Sequence, residues 1–366
     1  MFRIMLAYKE KITKVDNNMT MKINIKILVA VIGGIILLAL IAAGFFIYSS
    51  RFGAPKLNAE AERFIVPLNA KTQDTIRELH EQGFIKSEWA LNYALKGKEI
   101  EPGGYKISKS MNAWDMAKAL KEPYMKWVVI PEGLRKEQIA ELIGDALGWS
   151  QEDKTKWIGN YTSMKYEEIE GVYFPDTYLL PKDETGLQIA DRLRAKFNEK
   201  FAPYLDKFTK ANIKWNTALK VASIVQREAA GKDDMPLIAG IIWNRLLNDP
   251  PMKLEIDATV QYARDSITHY GKEPDDVQLS GYTSEGNWWT PIKVADLEIP
   301  SMYNTYQNKG LPPHPICNPG IEAIDATLNS ADTECLYYLH DSNGQIHCAN
   351  TYEEHQANIE KYLKSN

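Results

Sequence analysis

The sequence predicts an α+β protein in three parts: an N-terminal transmembrane helix, a small α/β subdomain, and a larger helix-rich domain with short strands at its edges. Three observations carry this. An uncharged apolar run lies near the N-terminus, from Ile27 to Ser50. A compact alternation of short helical and strand patterns follows, between about Pro67 and Lys121. Beyond Glu170 the pattern turns to longer amphipathic helices broken by proline-rich loops.

The apolar run is long enough to cross a hydrocarbon core of roughly 30 Å at about 1.5 Å per residue. A cleaved secretory signal has a shorter apolar region, so an uncleaved anchor is expected. Ahead of it stand Arg3, Lys9, Lys11, Lys14, Lys22 and Lys26 against Glu10 and Asp16. The positive-inside rule then puts residues 1–26 in the cytoplasm and residues 51–366 on the outer (periplasmic) face of the cytoplasmic membrane. Met19 and Met21 are alternative starts that leave this topology unchanged.

Residues 51–66 read as a polar stalk. In the subdomain, 67–125, a helix opens at Thr72 and stops at Gly83, and a second runs through Trp89, Tyr93 and Leu95. Pro102-Gly-Gly-Tyr-Lys-Ile reads as a turn into a strand, and Asn112–Leu120 as a capped helix. The large domain, 126–366, begins with a strand at Lys126–Pro131 and a helix at Lys136–Leu147. Gly171–Pro181 is extended and aromatic-rich. Helices are expected at about Leu187–Phe201, Asn216–Ala230, Pro236–Leu247 and from Ile321, with loops at Tyr282–Asn287 and Leu311–Gly320. A strand pair around Cys335–Leu339 and Gly344–Ala349 and a helix Tyr352–Leu363 close the chain.

The 366 residues are 45% hydrophobic and 25% charged, an ordinary globular balance, and the net charge of −5 gives no reason to expect nucleic acid. Cys317, Cys335 and Cys348 form neither a zinc pattern nor an even set, and which pair would be oxidised is open. The histidines, His80, His269, His314, His340, His347 and His355, show no ligand spacing, so no metal or cofactor is expected. His355 reads as a structural hydrogen-bonding residue.

Glu228 is the most informative residue. Val221, Ile224 and Val225 stand seven, four and three positions before it and share its helix face. Desolvation on an apolar face raises a carboxyl pKa, and a carboxylic acid protonated near neutral pH suits general-acid attack on a glycosidic bond. Periodicity alone favours the plainer reading, in which Glu228 sits at the edge of the stripe and pairs with an arginine such as Arg227 or Arg245. Asn244 and Arg245 are candidates for holding a substrate or orienting Glu228, or are surface residues. Asp257 opens a helix and would cap it. Tyr303, Asn304 and Tyr306, with Asn318 in the proline-rich loop, form a ligand-binding or a structural loop.

Together, Glu170-Gly-Val-Tyr-Phe-Pro-Asp-Thr-Tyr, Ala222-Ser-Ile-Val-Gln-Arg-Glu, Asn244-Arg-Leu, Ile256-Asp-Ala-Thr-Val, Tyr303-Asn-Thr-Tyr, Gly310-Leu-Pro-Pro, Asn318-Pro-Gly and Thr351-Tyr-Glu-Glu-His resemble the endolytic murein transglycosylase (YceG-like) family. They run in the family's order from about residue 60. The family's first acidic position in the second motif is Gln226 here, and the catalytic position is Glu228. His314 and Cys317 replace small residues of the proline-rich loop, and Cys348 replaces an aromatic. The resemblance implies a LysM-like subdomain and a lytic enzyme of nascent peptidoglycan glycan strands, working near the synthases of the elongation or division machinery. It implies catalytic Glu228, a MurNAc–GlcNAc bond broken without water, and 1,6-anhydro-MurNAc ends that terminate elongation. Substrate contacts are expected from Asn244, Arg245, Asp257, Tyr303, Asn304, Tyr306 and Asn318. A hydrolase would need a second carboxylate, for which Asp257 and Asp176 are available. A non-catalytic glycan-binding scaffold is the remaining alternative.

Overall fold

The computed structural model describes residues 25–161, 170–271 and 287–364. The basic flank up to Asn24 and the loop from Tyr282 to Gly286 lie outside the described residues. The chain divides into two compact units, one of residues 1–101 with 105–122, the other of 102–104 with 123–366.

In the first unit, α1 (Ile25–Phe52) is long and apolar enough to cross a membrane. It extends past the apolar run to Phe52, which is buried against this unit. The stretch read as a stalk holds strand β1 (Ala61–Val66), because Phe64 and Val66 alternate inward while Arg63 and Ile65 face out. Helices α2 (Thr72–Glu81) and α3 (Glu88–Leu95), strand β2 (Gly103–Ser108) and helix α4 (Ala113–Ala119) follow. Ser87 caps α3 and Asn112 caps α4, the latter accepting from the amides of Trp114 and Asp115. A core of Phe64, Val66, Ile76, Leu79, Leu91, Ile107 and Met116 is shared by these elements.

The second unit starts from β3 (Met125–Val129) and α5 (Lys136–Leu147), then α6 (Gln151–Lys156), which runs into a π-turn at Trp157–Tyr161. Strand β4 (Thr177–Pro181) pairs antiparallel with β3, Trp127 opposite Leu179. Helix α7 (Gly186–Lys210) continues well beyond Phe201, through Pro203, since Phe201, Tyr204 and Phe208 hold the extra turns in aromatic contact. Helices α8 (Trp215–Glu228), α9 (Met235–Leu247) and α10 (Asp257–Tyr270) come next, then a 3-10 turn at Val294–Glu298 and α11 (Ile321–Leu328). Strands β5 (Tyr337–His340) and β6 (Ile346–Ala349) form an antiparallel hairpin, and α12 (Tyr352–Tyr362) ends the described chain. The described residues thus hold twelve α-helices and short strands, an α+β arrangement.

Helix α8 is the centre of this unit. Ala218, Leu219, Val221, Ala222, Ser223, Ile224 and Val225 are all buried, and α9, α10 and α11 pack around it. Gly171 shows how close the packing is: its φ is +94°, and a Cβ there would lie 3.0 Å from Leu219 and from Pro315. Beside this core, Arg135 is buried, donates to Glu137, Ser266 and the Tyr262 carbonyl, and is sandwiched between the rings of Tyr262 and Trp288. Cys335 and Cys348 form a disulfide across the β5–β6 hairpin, and Cys317 is free and buried.

Candidate active site

Glu228 is the last residue of α8, and Ala229 leaves the helix in an extended conformation. The turn that follows is tied down by Asp234, which accepts from the amides of Ala230 and Gly231 and meets His340 Nε2 at 2.7 Å. Since His340 is on β5, this bond fixes the end of α8 against that strand. Two residues earlier on β5, Tyr338 donates its hydroxyl to Glu228 Oε2 at 2.8 Å. The amide of Ala258, in the first turn of α10, donates to Oε1 at 3.4 Å, a long and weak bond. The pairing with Arg227 or Arg245 that periodicity allows does not form. Arg227 lies over Trp289, and Arg245 is occupied elsewhere.

Burial pushes the Glu228 carboxyl above the usual carboxylate range. Tyr338 and the Ala258 amide work against that shift, Asp257 adds to it, and His340 opposes it. A carboxylate at a helix C-terminus also faces the negative end of the helix dipole, which favours the protonated form.

Glu228 opens into a cleft of about 340 Å³, within the range of ligand sites. Its walls come from α9 (Arg245), the segment Leu254–Asp257, Tyr306, strand β5 and two residues of α12, Tyr352 and His355. Three of the sequence candidates, Arg245, Asp257 and Tyr306, are therefore brought together with Glu228. Asp257 is not a cap: Ile256 holds the cap position, and the Asp257 carboxylate instead accepts from Tyr306 at 2.7 Å. Arg245 forms part of the wall, but its guanidinium is spent on the carbonyls of Lys253, Leu254 and Leu336 and on Glu255.

Four candidates lie behind the cleft. Asn244 donates to the carbonyls of Thr333 and Cys335, securing the approach to β5. Tyr303 is buried against Tyr262. Asn304 is fully buried and bonds the Leu297 and Ile299 carbonyls. Asn318 is also fully buried, bonding Leu134, Glu170 and the Tyr173 amide. The three asparagine amides bond backbone carbonyls, and none of the four residues lines the cleft. Asp176, the other spare carboxylate, lies 3.8 Å from Lys196 and does not line the cleft.

Sequence reasoning missed Tyr337, Tyr338, His340, Glu255 and Tyr352. For the three tyrosines the trace was a supply of nineteen in the chain. Glu255 has one further mark, a left-handed backbone with φ of 52°, uncommon for a non-glycine residue and concentrated near functional sites. His355 does not behave as expected: its ring stacks on Tyr337, and its buried Nδ1 makes no hydrogen bond. Gln226 points away, accepting from the Gly320 amide at the start of α11.

The chain was compared with known proteins. It is 26% identical to the endolytic murein transglycosylase of Streptococcus pneumoniae serotype 2 (strain D39), an alignment that covers 92% of this chain but 65% of that relative, somewhat less than two thirds of its length. It is 29% identical to the endolytic murein transglycosylase of Bacillus subtilis (strain 168), covering 89% of this chain and 92% of the relative. A crystal structure of a YceG-like protein from Listeria monocytogenes superposes with a TM-score of 0.55 at 26% identity, over 81% of this chain and 98% of that one. The family model described as YceG-like matches residues 64–361, a span that includes Glu228 and every residue of its cleft, and the chain belongs to the YceG-like family.

Proposed function

We propose that this chain is a membrane-anchored endolytic lytic transglycosylase. Its substrate is the MurNAc–GlcNAc bond of nascent peptidoglycan strands, and its product is a 1,6-anhydro-MurNAc end that terminates elongation. The observation that carries the reading is the state of Glu228: a carboxyl at the end of an apolar helix face, open to a cleft, with its pKa raised by burial. The names of the relatives in Streptococcus and Bacillus point the same way.

In this reading one acid is enough. Tyr338 holds Oε2, so Oε1, with its long contact to Ala258, carries the transferable proton. Glu228 protonates the glycosidic oxygen, and the bond from that oxygen to the anomeric carbon of MurNAc breaks. The 6-hydroxyl of the same sugar bonds to that carbon and returns its proton to Glu228. Atoms and charge balance with no water consumed. Tyr306 and Asp257 contact the glycan beside Glu228, Arg245 shapes the wall, and Asn244, Tyr303, Asn304 and Asn318 hold the frame.

The first unit, with its strand–helix–helix–strand order, is read as the LysM-like part. Helix α1 anchors the chain in the cytoplasmic membrane with the N-terminus inside and the enzyme outside, near the peptidoglycan synthases. The disulfide between Cys335 and Cys348 suits an oxidising compartment. A hydrolase is the second reading, favoured by one observation: Glu255 and Asp257 line the same cleft as Glu228.

Glu228→Gln tests the assignment. Loss of a general acid costs about 10²–10⁴-fold in rate. The variant should lose cleavage of purified strands to that extent while binding them as wild type does. Cleavage within tenfold of wild type would remove Glu228 from the mechanism.

A further inference from the structure

We infer that the aromatic face built around the end of α1 in the first unit is a membrane-contact surface, seated in the headgroup region of the bilayer that α1 enters. This rests on the membrane-span reading of α1 above.

The face has Phe52 at its centre. Phe52 is 8% exposed, stacked on Tyr48 and Trp114 and met edge-on by Trp89 and Tyr93. Its neighbours are not buried: Trp89 is 61% exposed, Tyr93 60% and Trp114 36%. Trp89 and Tyr93 are four apart on α3, so they share one helix side while Leu91 and Leu95 enter the core. A contiguous exposed aromatic patch of this kind marks an interaction surface.

Its position relative to α1 is fixed by direct bonds. Trp114 Nε1 donates to the Tyr48 hydroxyl at 3.0 Å, and Lys86 Nζ donates to the Ser49 carbonyl at 3.4 Å. From Ile27 to Tyr48 the helix rises roughly 30 Å at about 1.5 Å per residue, the thickness of a hydrocarbon core. With α1 across a bilayer, Tyr48 falls at its edge and Phe52, Trp89, Tyr93 and Trp114 fall at headgroup level. Tryptophan and tyrosine favour that zone, where the ring is in apolar surroundings and the polar tip is wet. Arg51 and Lys86 are exposed at the same level and suit anionic headgroups.

A sugar is the other occupant for exposed aromatics, and the ring geometry disfavours it. Trp89 and Tyr93 are stacked at 5.6 Å with an interplanar angle of 23°, and Trp114 stacks on Phe52 at 5.7 Å. The flat faces on which a sugar ring would lie are partly covered by one another.

The test uses the full chain in vesicles of phosphatidylethanolamine and phosphatidylglycerol, with and without bromines near the headgroup end of the acyl chains. Bromine quenches tryptophan within a short range. Wild type is compared with the double variant Trp89→Phe, Trp114→Phe, which keeps an aromatic ring at both positions and the Lys86 bond to Ser49. The expected result is bromine quenching in wild type, up to the share of two tryptophans in nine, that is absent from the variant, while both proteins resist alkaline carbonate extraction. Equal quenching of the two proteins, both still resisting extraction, overturns the contact surface and leaves the span intact. Extraction of wild type by carbonate overturns the span reading, and the surface with it. An emission change with soluble glycan strands that lipid does not produce assigns the face to sugar and also overturns the proposal.

Discussion

Tyr338 and Asp257 pull Glu228 in opposite directions, and the balance sets the pH at which the carboxyl can act as an acid. The Tyr338 hydrogen bond favours the ionised form, and the Asp257 charge favours the protonated one. In the proposed mechanism cleavage needs the proton, so the rate should fall as pH rises through the Glu228 pKa. Tyr338→Phe removes a bond that lowers this pKa, so the alkaline limb of the rate profile should move to higher pH. A limb that stays in place would show that Tyr338 does not bear on the acid. Glu170 makes a second prediction. It is buried, its Oε1 accepts from the Lys136 amide and Asn318, and its Oε2 has no hydrogen bond. Burial, with repulsion from Glu137, pushes its pKa up to about 8 against the pull of Lys136 and Arg135. A carboxyl raised in the folded state contributes stability that is complete below its unfolded pKa and lost as pH rises through the folded one. The melting temperature should therefore fall between about pH 5 and 8, and Glu170→Gln should flatten that slope. Parallel slopes would contradict it. The place of Glu228 on an apolar helix face was legible in the sequence from helical spacing. Tyr338 was not, because it lies 110 positions away and looks like any strand tyrosine. For Asn244, Asn304 and Asn318 the sequence could not show which carbonyls they satisfy, and a polar residue on an apolar background reads as a ligand contact until those partners are known.

At the scale of elements, the site depends on the β5–β6 hairpin, which presents Tyr337, Tyr338 and His340 to the end of α8. The disulfide Cys335–Cys348 closes a loop with a sequence separation of 13 across this hairpin. Loops of about this length give about 3 kcal/mol in the chain-entropy account. Reduction should lower the unfolding free energy by about that amount and slow cleavage, measured by urea unfolding and strand digestion with and without dithiothreitol. A protein indifferent to the reductant would show that the hairpin holds its shape unaided. Cys317 does not compete for the partner, since it is buried and burial pushes its thiol pKa up. The hairpin, α5, α8 and α9 were legible to within a residue or two because each has a clean hydrophobic period and clear ends. The cysteine pairing was not legible, because spacing alone does not choose among three cysteines. The length of α7 was hidden by Pro203, whose missing N–H ordinarily breaks a helix; here aromatic contacts outweigh the loss. Strand β1 was hidden by charge, because Glu60, Glu62 and Arg63 made it look like a stalk.

For the whole molecule, one apolar run and two changes of pattern predict three parts, and the structure divides into two compact units with the apolar helix in the first. The assembly of the cleft was not legible in the sequence, because its walls come from residues 228 to 355, brought together only by tertiary packing. That packing leaves one raised carboxyl facing the cleft with two further carboxylates, Glu255 and Asp257, in its lining, and the choice between lytic and hydrolytic chemistry rests on what those two do. The most direct measurement is mass spectrometry of the ends made by the full chain from purified glycan strands in ¹⁸O-labelled water. The lytic account predicts anhydro-MurNAc ends, lighter than reducing ends by one water and free of label, from wild type and not from Glu228→Gln. Reducing ends carrying ¹⁸O would contradict it, and would make Asp257 or Glu255 the second carboxylate of a hydrolase.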